Sequence, residues 1–146
     1  MATLTVAVVQ AHVAASLAQG LDLTRTLTTE AAARGASLVV FPETWLPGYP
    51  AWLDVCRDVA LWDHEPTKRV FARYRSESVD VHGAAGAALG AIASDAGVTL
   101  VVGVSELVAS GPGSGTLYNA LLTYGPDGRL LNHHRKLMPT YTERMV

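Results

Sequence analysis

Apolar and threonine residues alternate from Thr3 and then merge into an unbroken apolar run at Ala7-Val8-Val9, the pattern of a strand entering a buried sheet. Ser16 followed by Gln19 fits a helix-start capping pattern. Leu23, Leu27 and Ala31 then recur every four residues, which predicts an amphipathic helix over 17–34 capped by Gly35. Residues 37–41 read as a short aliphatic strand ending at Pro42. The stretch 42–50 holds three prolines and a glycine and is excluded from regular structure. Residues 51–62 are expected to be helical, 63–78 are polar and ambiguous, and 80–96 form a second clear helix. That helix has Val81, Ala85, Ala88, Leu89 and Ile92 on one face and Gly97 at its end. Residues 98–104 form a buried strand. Residues 117–124 and 129–133 flank Gly125-Pro126-Asp127-Gly128, a hairpin signal. The order β-α-β-loop-α-α-β-β-β predicts a mixed sheet with helices packed on it, within one domain or part of one spanning 1–146.

Composition narrows the function classes. Nearly half of the 146 residues are hydrophobic and the net charge is −2, with no basic stripe, so a nucleic-acid partner is not expected. No apolar run reaches membrane-spanning length, and the N-terminus has no basic leader ahead of its apolar residues. The expectation is a cytoplasmic protein without membrane contact. The one cysteine, Cys56, excludes an intramolecular disulfide and reads as a buried structural thiol inside a helix. Arg57 would lower its pKa, but Asp54 and Asp58 oppose that. His133 and His134 are neighbours on a strand and point to opposite faces, so no shared metal ion is expected. No cofactor is indicated.

Two positions carry candidate chemistry. Glu43 lies where a strand gives way to a proline-rich loop, the place where α/β proteins put functional groups. A partly buried carboxylate there would suit a general base. A helix cap or a surface ion pair is an equal reading of position alone. Lys136 follows the last strand of the hairpin and precedes Pro139. Its ammonium could stabilise an anionic intermediate, although an isolated lysine in a basic cluster is more simply a surface residue.

The surrounding residues change these odds. The segment 35–50, GASLVVFPETWLPGYP, resembles the first signature of the nitrilase superfamily of carbon–nitrogen hydrolases along its whole length. Arg135-Lys136-Leu137-Met138-Pro139-Thr140 resembles the family's second motif, in the family's order. Leu117-Tyr118-Asn119 and the Gly-Pro-Asp-Gly turn also fit. The Gly48-Tyr49-Pro50 ending looks like the true nitrilase branch.

The resemblance implies that Glu43 is the general base and Lys136 the catalytic lysine, with Glu143 a second glutamate that orients the lysine or the substrate. It implies an α/β fold, the family's α-β-β-α sandwich of two sheets, present here in part and lacking the C-terminal half. The expected substrate is a small nitrile, its organic group near Tyr49, Trp52 and Tyr141. A nitrile would become a carboxylic acid and ammonia through a covalent intermediate on a cysteine. The family places that cysteine beyond the lysine, and the sequence stops at Val146, ten residues past Lys136. The 146-residue chain alone is therefore expected to be inactive. A homo-oligomer, or pairing with a longer homologous chain, is the expected assembly. The helix near 80–96 serves as a contact in that case, although internal packing on the sheet is its simpler role. A non-catalytic assembly subunit and an amidase or carbamoylase of the same superfamily remain as alternatives.

Overall fold

The computed structural model describes residues 3–140 and 143. Strand β1 covers Val6–Val8, helix α1 Leu17–Ala33 and strand β2 Leu38–Val40. A short 3-10 turn at Ala51–Asp54 leads to helices α2 (Glu65–Ser76) and α3 (Ala84–Ala96). Strands β3 (Thr99–Leu107), β4 (Leu117–Tyr124) and β5 (Leu130–Arg135) complete one five-stranded sheet in the order β1-β2-β3-β4-β5. The first three strands run parallel, and β3, β4 and β5 form an antiparallel meander. This is the mixed α/β architecture the hydrophobic pattern predicts.

The ends of α1 follow from its sequence. The Ser16 hydroxyl accepts from the Gln19 N–H, and Gly35 continues the chain at φ 86 beyond the Arg34 cap. Helices α1 and α3 pack together and onto one sheet face, where Leu89, Ile92, Leu100, Val102, Val104 and Leu122 are essentially inaccessible. α3 is thus an internal packing helix, and burying such side chains stabilises by about 1.5–3 kcal/mol each. The opposite face is covered near Ser105 but leaves Val6, Val8 and Leu121 exposed.

Three predicted boundaries shift for local reasons. The helix expected over 51–62 shrinks to the 3-10 turn at Ala51–Asp54. Val55, Leu61 and Trp62 are exposed, so no apolar face exists to hold a longer helix against the core. Cys56 accordingly sits half-buried just past that turn, not inside a helix. Helix α3 starts at Ala84, not Asp80, because the Asp80 carboxylate accepts from the His82 N–H in a competing side-chain turn. Finally, β3 runs on to Leu107 and carries a buried Glu106.

Candidate active site

The loop after β2 is clamped from both sides, and this sets where Glu43 lies. Trp45 is buried, and its indole N–H donates to the Thr24 hydroxyl of α1 at 2.8 Å. Leu46 fits against Gly20, where an added Cβ would stand 2.4 Å from Leu46 Cδ2. The Ser105 N–H donates to the Leu46 carbonyl at 2.7 Å, tying the loop to β3. Just ahead of these anchors the chain crosses the sheet directly over Gly103. A side chain there would meet the Pro42 carbonyl at 2.4 Å, Glu43 Cα at 2.7 Å and the Thr44 nitrogen at 2.8 Å. Thr44 pays for the tight turn with φ 45, a left-handed conformation costly for a β-branched residue.

Lys136 arrives by register. Its N–H donates to the Asn119 carbonyl at 2.8 Å, one step beyond the Ala120–Arg135 pair that ends the β4–β5 ladder. Because side chains alternate along a strand, Asn119 and Lys136 share the face over which Glu43 lies. The Lys136 ammonium donates to Glu43 Oε1 at 2.8 Å, Glu143 Oε2 at 3.0 Å and Thr140 Oγ1 at 2.8 Å. All three of its N–H donors are engaged. Asn119 Nδ2 donates to Glu43 Oε1 at 2.5 Å and to Glu143 Oε1 at 2.6 Å. Glu143 Oε2 also accepts from the Thr140 N–H at 2.5 Å, the reach-back half of a capping box in Thr-x-x-Glu.

The Glu43 carboxylate raises the Lys136 pKa above its ordinary value and keeps the ammonium charged. Burial alone would push the Glu143 carboxyl up. The Lys136 ammonium, the Thr140 N–H and Asn119 outweigh it and hold Glu143 below the usual carboxylate range. The partly buried carboxylate expected at position 43 is not found, since 53% of the Glu43 side chain is exposed. Its placement comes from the backbone clamp and from hydrogen bonds, not from desolvation or the prolines alone.

Two hollows flank this cluster, and Lys136 and Asn119 line both. One, about 340 Å³, also meets Glu43, Gly103, Leu121 and His134. The other, about 320 Å³, is lined by Glu143, Thr44, Tyr74, Ser105 and Tyr118 among others. Of the residues expected to hold an organic group, Trp52 packs edge-on against Phe71 and lines a separate crevice with Val70 and Tyr74. Tyr49 is partly exposed and lines neither hollow. Tyr141 lies outside the described residues. Tyr74, which no motif marked, and Tyr118 of the Leu-Tyr-Asn segment line the second hollow. Asn119 falls in a recognisable Leu-Tyr-Asn segment, but its contacts needed the β4–β5 register.

A second polar cluster braces β5 beside the site. The buried Glu106 carboxylate accepts from Arg135 at 2.9 and 2.7 Å and pairs with His133 Nε2 at 2.8 Å. Burial would raise the Glu106 pKa, but Arg135 and His133 bring it below its ordinary value. The Arg135 guanidinium also lies 4.0 Å over the Tyr118 ring. His133 is thus a partner of Glu106, and among the described residues no cluster of three or more His, Cys, Asp or Glu is arranged for a metal ion. Among the same residues, no helix is long and apolar enough to cross a membrane.

Comparison with known proteins shows the family of the chain. Residues 5–146 match the sequence pattern described as carbon-nitrogen hydrolase. The chain is 41% identical over 121 residues to "Nitrilase 2" of an unknown prokaryotic organism, covering 82% of this chain and 36% of that protein. It is 40% identical over 126 residues to an aliphatic nitrilase of Sinorhizobium fredii (strain HH103), covering 86% and 38%. Among solved structures, an amidase of the nitrilase superfamily from Nesterenkonia AN1 superposes with a TM-score of 0.62 at 20% identity. That match covers 97% of this chain and 47% of the amidase, and the likeness is one of fold. The chain thus spans a little over a third of the length of these curated relatives.

Proposed function

The chain belongs to the carbon–nitrogen hydrolase family, and on that premise we propose that it supplies the base and the lysine of a nitrile-hydrolysing active site whose nucleophilic cysteine lies outside these 146 residues. The observation that carries the reading is the Lys136–Glu43 contact of 2.8 Å, made across 93 residues of sequence. The curated relatives' names favour a nitrile over an amide.

The chemistry follows from the donors and acceptors present. Glu43 removes the proton of the incoming thiol, and the thiolate adds to the nitrile carbon. One C–N π bond becomes an N–H bond as the nitrogen takes up that proton, giving a thioimidate. Water then adds, ammonia leaves, and a second water releases the acid and regenerates the thiol. Lys136 stabilises the negative charge that develops on nitrogen. With all its N–H donors in use, it must exchange one acceptor for the substrate. The neutral Thr140 hydroxyl is the least costly to release, because bonds to carboxylates are charge-assisted and stronger. Glu143 keeps the ammonium directed toward the cluster. The hollow shared by Glu43 and Lys136 is large enough for a nitrile and a thiolate, and its neighbour between Tyr74 and Tyr118 suits a small apolar substituent.

Ammonia release tests this reading. The 146-residue chain alone is expected to release none from aliphatic or arylalkyl nitriles. A protein in which this chain continues into the cysteine-bearing part of a nitrilase is expected to hydrolyse them, and faster than the matching amides. In that extended protein, Glu43→Gln and Lys136→Ala should each lower turnover by about 10²–10⁴-fold. Ammonia release by the isolated chain that survives Cys56→Ala, or near-normal turnover of either variant, refutes the assignment.

A further inference from the structure

Glu43 sits on a loop with about half its side chain exposed, yet its carboxylate must be aimed. A glutamate in that setting has several rotamers available, so its direction comes from its partners. Lys136 is one, but it is a long, flexible side chain whose ammonium must redirect toward substrate. Asn119 is the other, and its setting differs. It is a short, half-buried side chain on the central strand of the meander, paired with Ser105 on β3 and held by the Lys136 N–H on the other side.

The contacts also fix which way its amide faces. At 2.5 and 2.6 Å from Glu43 Oε1 and Glu143 Oε1, only the NH2 group is compatible, since a carbonyl oxygen would be repelled by both carboxylates. Its two N–H bonds are thus divided between two acids that would otherwise be linked only through Lys136. We propose that Asn119 is a positioning residue, a neutral two-pronged donor that holds Glu43 in its working orientation and keeps it apart from Glu143 while Lys136 serves the substrate. A neutral donor is required here. An acid in the same shape would add a third carboxylate around the Lys136 ammonium, with His134 the one further titratable neighbour among the described residues of the hollow on the Glu43 side. The catalytic consequence rests on the reading of Glu43 as the base; the two-pronged contact does not.

The test uses the full chain with carbon-13 at its glutamate carboxyls and nitrogen-15 in its asparagine side chains, read by NMR at one neutral pH as the unaltered protein, Asn119→Asp and Asn119→Ala. Asn119→Asp keeps the shape, removes both donors and adds a charge. Both variants are expected to move the carboxyl resonances of Glu43 and Glu143, which lose a short donor contact each. An unmoved Glu43 resonance in both variants overturns the proposal. The unaltered chain supplies a reading that needs no variant to fold: the Asn119 side-chain amide protons should resonate downfield of free asparagine and exchange slowly with solvent, and protons at the free position overturn it too. In the extended protein, Asn119→Asp should lower kcat more than it changes KM, and a normal kcat also overturns the proposal. If the unaltered extended protein fails on nitriles while the resonance shifts appear, the functional reading fails and the positioning contact stands.

Discussion

Gly103→Ala is a one-carbon change that reaches the base through the backbone. The added Cβ would stand 2.4 Å from the Pro42 carbonyl oxygen, where ordinary contact begins near 3.4 Å. All three atoms it meets are backbone, so no flexible side chain can absorb the clash. Relieving it moves the segment that carries Glu43 off the sheet by about 1 Å, enough to turn the 2.8 Å contact with Lys136 into a gap if the movement is directed away. A misplacement of that size can cost about 10²-fold in rate, the loss expected for ammonia release by the extended protein. Overpacking of this kind typically costs about 1–3 kcal/mol. Alanine in place of a strand glycine returns roughly 0.5–1 kcal/mol of it through the unfolded state. The net loss should lower the melting temperature of the chain, followed by circular dichroism, by about 2–4 °C per kcal/mol at this size. A variant with unchanged rate and unchanged melting temperature would show that the Glu43 segment does not rest on Gly103.

Three further outcomes are expected. Arg135→Met takes two charge-assisted hydrogen bonds from the buried Glu106 carboxylate and leaves it with His133 alone; because the Arg135 side chain is 45% exposed, solvent screening holds the loss to about 1–3 kcal/mol, and urea unfolding that matches the unaltered chain would contradict this. Glu106 and Glu143 both have pKa values below their ordinary 4.5 in the folded chain. Their contribution to stability is therefore complete above that value and lost as pH falls below it through the folded pKa values. The urea midpoint should fall with acid in that window, and Glu106→Gln should flatten the fall; equal slopes in the two proteins would be evidence against it. Thr140→Val removes one neutral acceptor from Lys136, so turnover of the extended protein should stay within about tenfold of normal, and a larger loss would mean that the hydroxyl does more than yield its place.

Much of this was legible in the chain itself, and the failures have physical causes. The Gly-Pro-Asp-Gly turn between β4 and β5 and the four-residue spacing in α1 gave those elements, the first by closing a hairpin and the second by turning one helix face to the core. The helix expected over 51–62 failed because its apolar residues find no face to bury. Glu43 and Lys136 were identifiable because their segments resemble the family's two motifs; position alone left Glu43 an even choice and read Lys136 as a surface lysine. The exposure of Glu43 was not, because its placement depends on Gly103, sixty residues away on another strand. Tyr74, Thr24 and Glu106 were hidden for the same reason, as each acts on the site through a contact distant in sequence. Tyr49 and Trp52 were named from the resemblance; Tyr74, which lines the hollow beside Lys136, was not, because it comes from a helix thirty residues further along.

A double-variant cycle on the extended protein, measuring ammonia release for Glu43→Gln, Lys136→Ala and the two together, addresses most directly whether these groups act as a unit. Residues that serve one reaction centre lose their effects non-additively. The combined variant is expected to be no slower than the slower single one. A combined loss equal to the product of the two separate losses would mean that the carboxylate and the ammonium work independently, and their contact in the fold would then have no part in the chemistry.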